Sequence, residues 1–135
     1  MIVGYAYVCG DILHVGHLQH LKNCKQFCDK LVVGVLTDEA VMERKVKPVL
    51  SFTERLRLVE ALRWVDIAIP QNTYSPIPNA LSMEVDILFE STSHKEEDIE
   101  DAKIKLSKIG SKVLVMPYFP VQSSTNIKEI IKNGK

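Results

Sequence analysis

The amino-acid sequence predicts an α/β fold, a doubly wound, parallel, five-stranded sheet with helices on both faces. Five short apolar runs rich in β-branched residues alternate with stretches that have helical periodicity. The runs are apolar at consecutive positions, which is typical of strands covered on both faces. The 135 residues contain no repeat, linker or low-complexity segment, so residues 1–135 are expected to form a single domain.

The N-terminal part of the chain predicts a β-α-β unit. Its strands are the runs IVGYAYV (2–8) and LVVGVL (31–36). Between them, apolar residues recur at the spacing of one helical face, at Val15, Leu18, Leu21, Cys24 and Cys28. A crossover of this kind is right-handed, and the two strands it joins are parallel.

The same alternation continues to the end of the chain. A short helix is expected at TDEAVMER (37–44) with Thr37 or Asp38 near its cap, and Ser51 with Glu54 forms a capping box before the helix RLRLVEALRW (55–64). The remaining elements are a strand DIAIP (66–70) stopped by Pro70, one or two helical turns NALSME (79–84), a strand VDILFE (85–90), a helix KEEDIEDAKIKLSKIG (95–110) closed by Gly110, a last central strand KVLVMPYF (112–119), and a C-terminal helix within 120–132 with a second capping box at Asn126 and Glu129.

Composition excludes several classes of protein. Lys plus Arg and Asp plus Glu each number 17, and this balance does not predict a nucleic-acid-binding surface. No run of residues is long and apolar enough to span a bilayer, and the N-terminus lacks a basic signal region, so a cytoplasmic protein is expected. Three cysteines, an odd number, are expected to be reduced thiols that pack in the interior, at Cys9, Cys24 and Cys28.

The stretch GDILHVGH (10–17) follows the first strand and places two imidazoles at the start of a helix. Free backbone N–H groups and the positive end of the helix make that position favourable for an anion. His14 and His17 can face one anion together, and Gly16 lets a phosphate approach the backbone. The glycine-rich phosphate motifs GxGxxG and GxxxxGK[ST] are absent from the chain.

Two other interpretations of the histidines remain open. They can be surface residues that lie close together by chance. They can also belong to a metal hydrolase, because His14, His17 and His20 are spaced three apart and imidazole is a common zinc ligand. A helix turns by about 100° per residue, however, so His14 and His20 diverge by more than half a turn.

Several motifs together resemble one family. HVGH (14–17) resembles the HxGH nucleotidyltransferases, and the cytidylyltransferase branch is resembled by DILH (11–14), VVGVLTDE (32–39), SFTERLRLVEALRWVD (51–66) and SSTNIKEII (123–131). The match covers nearly the whole chain in the family's order. The resemblance implies a Rossmann-like nucleotidyltransferase fold and transfer of CMP from CTP to a small phosphate or phosphonate acceptor, with release of pyrophosphate.

The resemblance also implies roles for particular residues. The catalytic residues would be His14, His17 and Lys47. The nucleotide would be bound by Val8, Cys9, Gly10, Asp11, Gly16, Asp38, Arg63, Ser123, Ser124, Thr125 and Lys128. The acceptor would be bound by Arg55, Tyr118 and His94. Mg²⁺ would bridge the phosphates with Asp11 as the nearest protein group, and the enzyme would be a homodimer.

The chain departs from the family pattern at two segments. Tyr118 stands where glycerol-3-phosphate cytidylyltransferases carry an arginine, and ESTSH (90–94) replaces their Gly-Asp-Asp-Trp. Pro117 and Tyr118 instead resemble phosphonate-pathway cytidylyltransferases, which favours an acceptor such as 2-hydroxyethylphosphonate. Glu90 and His94 can supply replacement contacts. An adenylyltransferase that uses ATP, or a catalytically weak nucleotide-sensing relative, remains an alternative.

Overall fold

The computed structural model describes residues 1–117 and 124–133, and it contains five strands and six helices within them. The strands are β1 (Val3–Val8), β2 (Lys30–Leu36), β3 (Ile67–Gln71), β4 (Ile87–Ser91) and β5 (Lys112–Met116). The helices are α1 (Val15–Lys25), α2 (Asp38–Met42), α3 (Phe52–Glu60), α4 (Ile77–Met83), α5 (Glu96–Ser107) and α6 (Ser124–Asn133). The alternation that the sequence predicts is therefore confirmed.

The five strands form one parallel sheet in the order β3-β2-β1-β4-β5. The chain fills the sheet outward from β1 to β3 on one side and then starts again at β4 on the other. The strand order therefore reverses between β1 and β4, where Tyr5 is paired with Leu88. In open sheets of this kind, ligands bind in the crevice beyond the carboxyl ends of the two strands at this switch point.

Helices cover the sheet on both faces because alternate residues of each strand point to opposite sides. On one face, Ala6 and Val33 belong to an apolar cluster with Leu21 of α1 and Val59 of α3. On the other face, a second cluster is formed by Tyr5, Val32, Ala80, Leu88, Ala102 and Leu106. The fold class expected from the sequence, a doubly wound α/β sheet, is confirmed.

Two strands differ from the prediction. Pro70 lies inside β3 and does not stop it, because β3 is an edge strand and a proline without an N–H is tolerated where one side of the strand has no neighbour. The strand expected over 112–119 ends at Met116 and lies at the opposite edge of the sheet, not at its centre.

Two helices also differ. Ser51 caps α3 as predicted, its Oγ accepting the Glu54 N–H at 3.2 Å, but the helix ends at Glu60 and not at residue 64. Helix α6 begins at Ser124, so Asn126 lies inside the helix and does not cap it. No helix within the described ranges has the length and apolar character needed to cross a membrane.

Candidate active site

The two histidines of HVGH form a reciprocal cap at the start of α1. His14 is the N-cap residue, with extended backbone angles of φ −144° and ψ 178°. Its Nδ1 accepts a hydrogen bond from the Gly16 N–H at 3.0 Å, while His17 Nδ1 accepts one from the His14 N–H at 3.2 Å. This is a capping box in which imidazoles replace the usual hydroxyl and carboxylate. Gly16 is expected to let a phosphate approach the backbone, but its own N–H donates to the His14 ring.

The cap determines which nitrogen of each ring carries the proton. An Nδ1 that accepts a backbone N–H must keep its lone pair, so the neutral ring is protonated at Nε2. Burial lowers the pKa of His17 to about 4, with the neighbouring His14 and His20 adding to the shift, and burial also lowers the pKa of His14. Near neutral pH both rings are therefore uncharged hydrogen-bond donors, with their centroids 4.1 Å apart.

The zinc alternative finds no support in this arrangement. Nε2 of His20 lies 3.7 Å from the sulfur of Cys24 on the same helix, as expected from the divergence of His14 and His20. Across residues 1–117 and the described part of α6, no group of three or more His, Cys, Asp or Glu side chains is placed to hold a metal ion. The Nδ1 atoms of His14 and His17 accept backbone N–H groups.

Asp11 is a buried anchor beneath the histidine loop, with an exposed fraction of 2%. Its Oδ1 accepts the Leu50 N–H at 2.9 Å, and its Oδ2 accepts the Val49 N–H at 3.1 Å together with a hydrogen bond from Lys128 Nζ. Burial alone would raise the pKa of Asp11, but the two N–H groups and the lysine hold it below its usual value. Because both oxygens already face these donors, Asp11 does not fit the role of a direct magnesium ligand.

The contacts of Asp11 involve one of the expected lysines, Lys128, and the segment that carries another, Lys47. Lys128 lies on α6 with 32% of its side chain exposed, so its ammonium group is close to both Asp11 and solvent. Lys47 is exposed in the segment between α2 and α3, two residues before Val49, whose N–H is bonded to Asp11. Lys128 is therefore a cation close to the histidine loop, which suits an anionic ligand.

Some of the residues expected to bind the nucleotide or the acceptor lie outside the described residues. Ser123 and Tyr118 are in that part of the chain, so their expected contacts remain predictions. Ser124 and Thr125 form the first turn of α6, the helix that also carries Lys128.

The expected acceptor contact of Arg55 is not supported by its position. Its side chain has an exposed fraction of 0%. Its donors are used within the protein, by the carbonyl oxygens of Leu50 (3.2 Å), Cys9 (2.7 Å) and Leu36 (2.5 Å) and by Asp38 Oδ1 (2.6 Å). Arg55 therefore joins the ends of β1 and β2 to α3, and an acceptor cannot reach it. Asp38, expected at the nucleotide, is its charged partner.

Arg63 also lies away from the histidines of its own chain. The sequence predicts Arg63 in the same helix as Arg55, but α3 ends at Glu60, and Arg63 is exposed in the following turn. That turn leads into the first residue of β3, Ile67, and thus lies at the amino end of the sheet. His14 follows the carboxyl end of β1, so the expected nucleotide contact of Arg63 is not made within this site.

The end of β1 supplies the turn into the histidine loop. Val8 is the last residue of the strand, and Gly10 has φ +73°, a conformation that favours glycine. A Cβ at Gly10 would lie 3.2 Å from a methyl group of Val59. Burial raises the pKa of the Cys9 thiol, which agrees with a packing role for that residue.

A second polar cluster lies at the end of β4, on the other side of the switch point. Glu90 Oε1 accepts the Tyr7 hydroxyl at 2.5 Å and lies 2.9 Å from His94 Nδ1. The Tyr7 and His94 rings are stacked with centroids 5.2 Å apart. Burial, together with the Glu90 carboxylate, raises the pKa of Tyr7, so its hydroxyl stays protonated. Sequence reasoning missed Tyr7, because only the pairing of β1 with β4 brings it to Glu90.

Comparison with known proteins agrees with the family that the sequence motifs resemble. The model of the cytidylyltransferase-like family matches residues 7–133. The bifunctional protein HldE of Granulibacter bethesdensis is 31% identical over 129 residues, covering 94% of this chain and 26% of that protein. HldE of Vibrio cholerae serotype O1 is 33% identical over 129 residues, covering 94% and 27%. The chain thus spans about a quarter of the length of these relatives.

Solved structures share the fold. The lipopolysaccharide core biosynthesis protein from Thermoplasma volcanium GSS1 superposes with a TM-score of 0.76 at 28% identity, covering 88% of this chain and 97% of that one. TmcAL of Thermotoga maritima, solved with alpha-thio ATP, has a TM-score of 0.72 at 14% identity over 99% of this chain and 51% of its own, a likeness of fold alone. With its motifs, its switch-point histidines and the match over residues 7–133, the chain belongs to the cytidylyltransferase-like family of nucleotidyltransferases.

Proposed function

We propose that this protein transfers CMP from CTP to a small phosphorylated or phosphono alcohol and releases pyrophosphate. The observation that carries the proposal is the pair of neutral imidazoles, His14 and His17, whose Nδ1 atoms are held by backbone N–H groups. Their Nε2–H groups are left as donors at the start of α1. A phosphate there also meets the positive end of the helix.

The reaction needs no covalent intermediate on the protein. A phosphate or phosphonate oxygen of the acceptor attacks the α-phosphorus of CTP. The bond from that phosphorus to the oxygen that bridges it to the β-phosphorus breaks, and its electron pair leaves with pyrophosphate. Negative charge builds on the oxygens of the α-phosphoryl group, where the Nε2–H groups of His14 and His17 stabilise it. Each such donor is expected to contribute about 10²–10³ in rate.

Cationic side chains complete the proposed site. Lys128 is assigned to the triphosphate because it contacts Asp11 in the histidine loop and is partly exposed. Lys47 is assigned with it on the resemblance to the family, and it is exposed two residues before Val49, whose N–H contacts Asp11. Mg²⁺ enters the proposal as the ion that accompanies the triphosphate. The Asp11 carboxylate, whose oxygens face Val49, Leu50 and Lys128, is not assigned as its ligand.

The acceptor is proposed to be anionic and small. Glycerol 3-phosphate and 2-hydroxyethylphosphonate are the first candidates from the sequence motifs. The related structure from Thermoplasma volcanium is described as a lipopolysaccharide core biosynthesis protein, and such a core contains sugars. Phosphorylated sugars therefore belong in the same test. A homodimer is also part of the proposal, and sedimentation equilibrium of the purified protein tests it.

Pyrophosphate release from each of the four nucleoside triphosphates, with Mg²⁺ and each acceptor, is the experiment that tests the proposal. We expect release that requires an acceptor and is fastest with CTP. Calorimetric titration of CTP and ATP measures the preference without turnover. Tighter ATP binding, with ATP-dependent turnover, would make the protein an adenylyltransferase. Nucleotide binding without turnover on any acceptor would make it a sensing relative and overturn the proposal.

A further inference from the structure

Arg44 and Asp98 form an ion pair that joins the two halves of the sheet across the switch point. Arg44 lies just after α2, which follows β2, and Asp98 lies in the first turn of α5, which follows β4. Because β1 lies between β2 and β4 in the sheet, the pair connects elements from opposite sides of β1. Arg44 Nη1 donates to Asp98 Oδ2 at 2.6 Å, and Nη2 donates to Oδ1 at 3.3 Å. We call this bidentate contact the Arg44–Asp98 strap.

Tyr74, in the loop that follows β3, supports the strap. The guanidinium carbon of Arg44 lies 4.6 Å from the centroid of the Tyr74 ring, which is within the range of a cation–π contact. The loop is held by the buried Gln71, whose Nε2 donates to the Tyr74 carbonyl oxygen at 3.1 Å. The Tyr74 N–H donates to Glu43 Oε2 at 3.2 Å. Arg44 is thus oriented by a carboxylate and an aromatic ring together, which restricts it more than an exposed ion pair alone does.

The turn after α2 depends on these contacts. A helix of five residues is too short to be stable by itself, so α2 relies on contacts at its ends. Thr37 caps the start of α2, where its side chain accepts the Ala40 N–H at 3.2 Å. The strap and the contact between Glu43 and Tyr74 hold the turn that follows its end. The position of this turn is therefore set partly by a carboxylate on α5.

The exposed segment 45–47 lies between two held points. It begins directly after Arg44, and Val49, two residues beyond its end, donates its N–H to Asp11 Oδ2 at 3.1 Å. Lys47, which the proposed function assigns to the triphosphate, is the last residue of this segment. An exposed segment that is held at both ends has less conformational freedom to lose when a ligand binds than one that is held at one end.

We infer that Arg44 and Asp98 are positioning residues, whose ion pair across the switch point holds the segment 45–47 in place and so orders Lys47 for the triphosphate. The inference rests on the proposed function and deepens it, because it adds the contact that orders one of the assigned cations before the nucleotide binds. Neither Arg44 nor Asp98 contacts the nucleotide in this assignment. Their side chains are 39% and 38% exposed, so conservative changes at either position should leave the fold intact.

Hydrogen exchange of the ligand-free protein, followed by mass spectrometry, tests the strap without turnover. We expect Asp98→Asn to increase the exchange rates of amides in residues 43–47 about three- to fivefold, although the substitution lies on another helix. Arg44→Gln should give a similar increase, and the double variant should give no more than either single variant. Asp101→Asn, which removes an exposed carboxylate paired with Lys105 on α5, is the matched control and should leave these rates unchanged.

Calorimetric titration of CTP with Mg²⁺ tests the role in nucleotide binding, and ATP replaces CTP if it binds more tightly. The Kd should rise about three- to fivefold in Asp98→Asn and in Arg44→Gln, and it should stay within about 1.5-fold of wild type in Asp101→Asn. In a Lys47→Ala background, Asp98→Asn should have no further effect, because the side chain that the strap orders is gone. An equal loss of affinity in both backgrounds would mean that the strap does not act through Lys47, and it would overturn the inference.

The remaining outcomes separate the strap from the proposed function. Wild-type exchange rates at residues 43–47 in Asp98→Asn overturn the inference. Weaker nucleotide binding in Arg44→Gln but not in Asp98→Asn also overturns it, because Arg44 would then act on the nucleotide directly. If the wild-type chain binds neither CTP nor ATP, the proposed function and the role of Lys47 are overturned, whereas faster exchange in Asp98→Asn still supports the strap.

Discussion

Lys128 on the last helix donates a hydrogen bond to Asp11, which lies 117 residues earlier in the loop that precedes α1. The same carboxylate accepts N–H groups from Val49 and Leu50. One buried anion therefore holds together three segments that are distant in the chain: the histidine loop, the segment that carries Lys47, and α6. The position of Lys128 beside the histidine loop depends on this carboxylate.

Asp11→Asn is predicted to reduce both stability and turnover. The amide cannot balance Lys128, and one of its ends presents donors to the backbone N–H groups, which leaves buried groups without partners. We expect a loss of about 2–4 kcal/mol in the free energy of unfolding. Urea unfolding, followed by circular dichroism, measures it.

The pH dependence of the same variant provides a check. The pKa of Asp11 is depressed in the folded state below its ordinary value of 3.8, so its contribution to stability is present above that value. That contribution is lost as the pH falls through the folded pKa. The wild-type chain should therefore lose stability more steeply below about pH 4 than Asp11→Asn does. If the free energy of unfolding fell equally steeply with decreasing pH in both proteins, Asp11 would not be an ionised anchor.

His14→Asn is predicted to separate the structural role of the histidine from its proposed chemistry. Asparagine is a favourable N-cap residue and can accept the Gly16 N–H in place of Nδ1. The melting temperature should therefore stay close to that of the wild-type chain. Turnover should fall about 10²–10³-fold, because the Nε2–H donor is lost, with much less effect on CTP affinity.

His14→Ala is the companion variant, since it removes both the cap and the donor. It should show the same fall in turnover as His14→Asn, and it should also lose about 1 kcal/mol in the free energy of unfolding. Turnover and nucleotide affinity that fall by the same factor in His14→Asn would mean that the ring contributes to ground-state binding and not to the transition state.

Much of the fold and part of the site could be predicted from the sequence, for a physical reason. Strands covered on both faces must be apolar at consecutive positions, which makes β1 and β2 visible as continuous runs. The i, i+3 spacing of His14 and His17 at a helix start is a local pattern, and a local pattern can be read from the chain. The reciprocal capping box that they form is also predictable from the sequence, because it spans the same four residues as an ordinary capping box.

The contacts that the sequence does not predict depend on the order of the strands. Nothing near Arg55 indicates that its donors reach carbonyl oxygens at the ends of β1 and β2. A helical face alone does not distinguish a buried arginine from one that binds a ligand. In the same way, Tyr7 and Glu90 are 83 residues apart and meet because β1 pairs with β4. Contacts between residues so far apart in the chain can be predicted only when the strand order is known, because the local sequence pattern does not contain them.

Arg55→Lys is predicted to destabilise the protein without a selective effect on the acceptor. Lysine keeps the charge, but its single ammonium group cannot reach three carbonyl oxygens and Asp38 at once. We expect a loss of roughly 3 kcal/mol in the free energy of unfolding. Steady-state kinetics on the folded fraction should show an acceptor KM within about twofold of the wild-type value, a threshold that corresponds to about 0.4 kcal/mol. A large rise in acceptor KM at unchanged stability would instead support the acceptor contact of Arg55 that the sequence predicts.

The buried histidines are predicted to make the protein sensitive to mild acid. Burial lowers the pKa values of His17 and His20 to about 4, whereas the unfolded chain protonates them near 6.5. The unfolded state therefore binds more protons between those values, and stability falls as the pH drops from about 6.5 towards 4. The melting temperature should decrease by several degrees over that window, before most carboxylates titrate. His20→Gln, which removes one of the two groups, should show a shallower decrease.

Because His17 stays neutral in the folded state down to about pH 4, turnover at temperatures well below melting should not decline through its protonation in the same window. A turnover that falls with a midpoint near 6.5 while the fold persists would show that His17 carries an ordinary pKa and is not the buried, uncharged donor that its cap indicates.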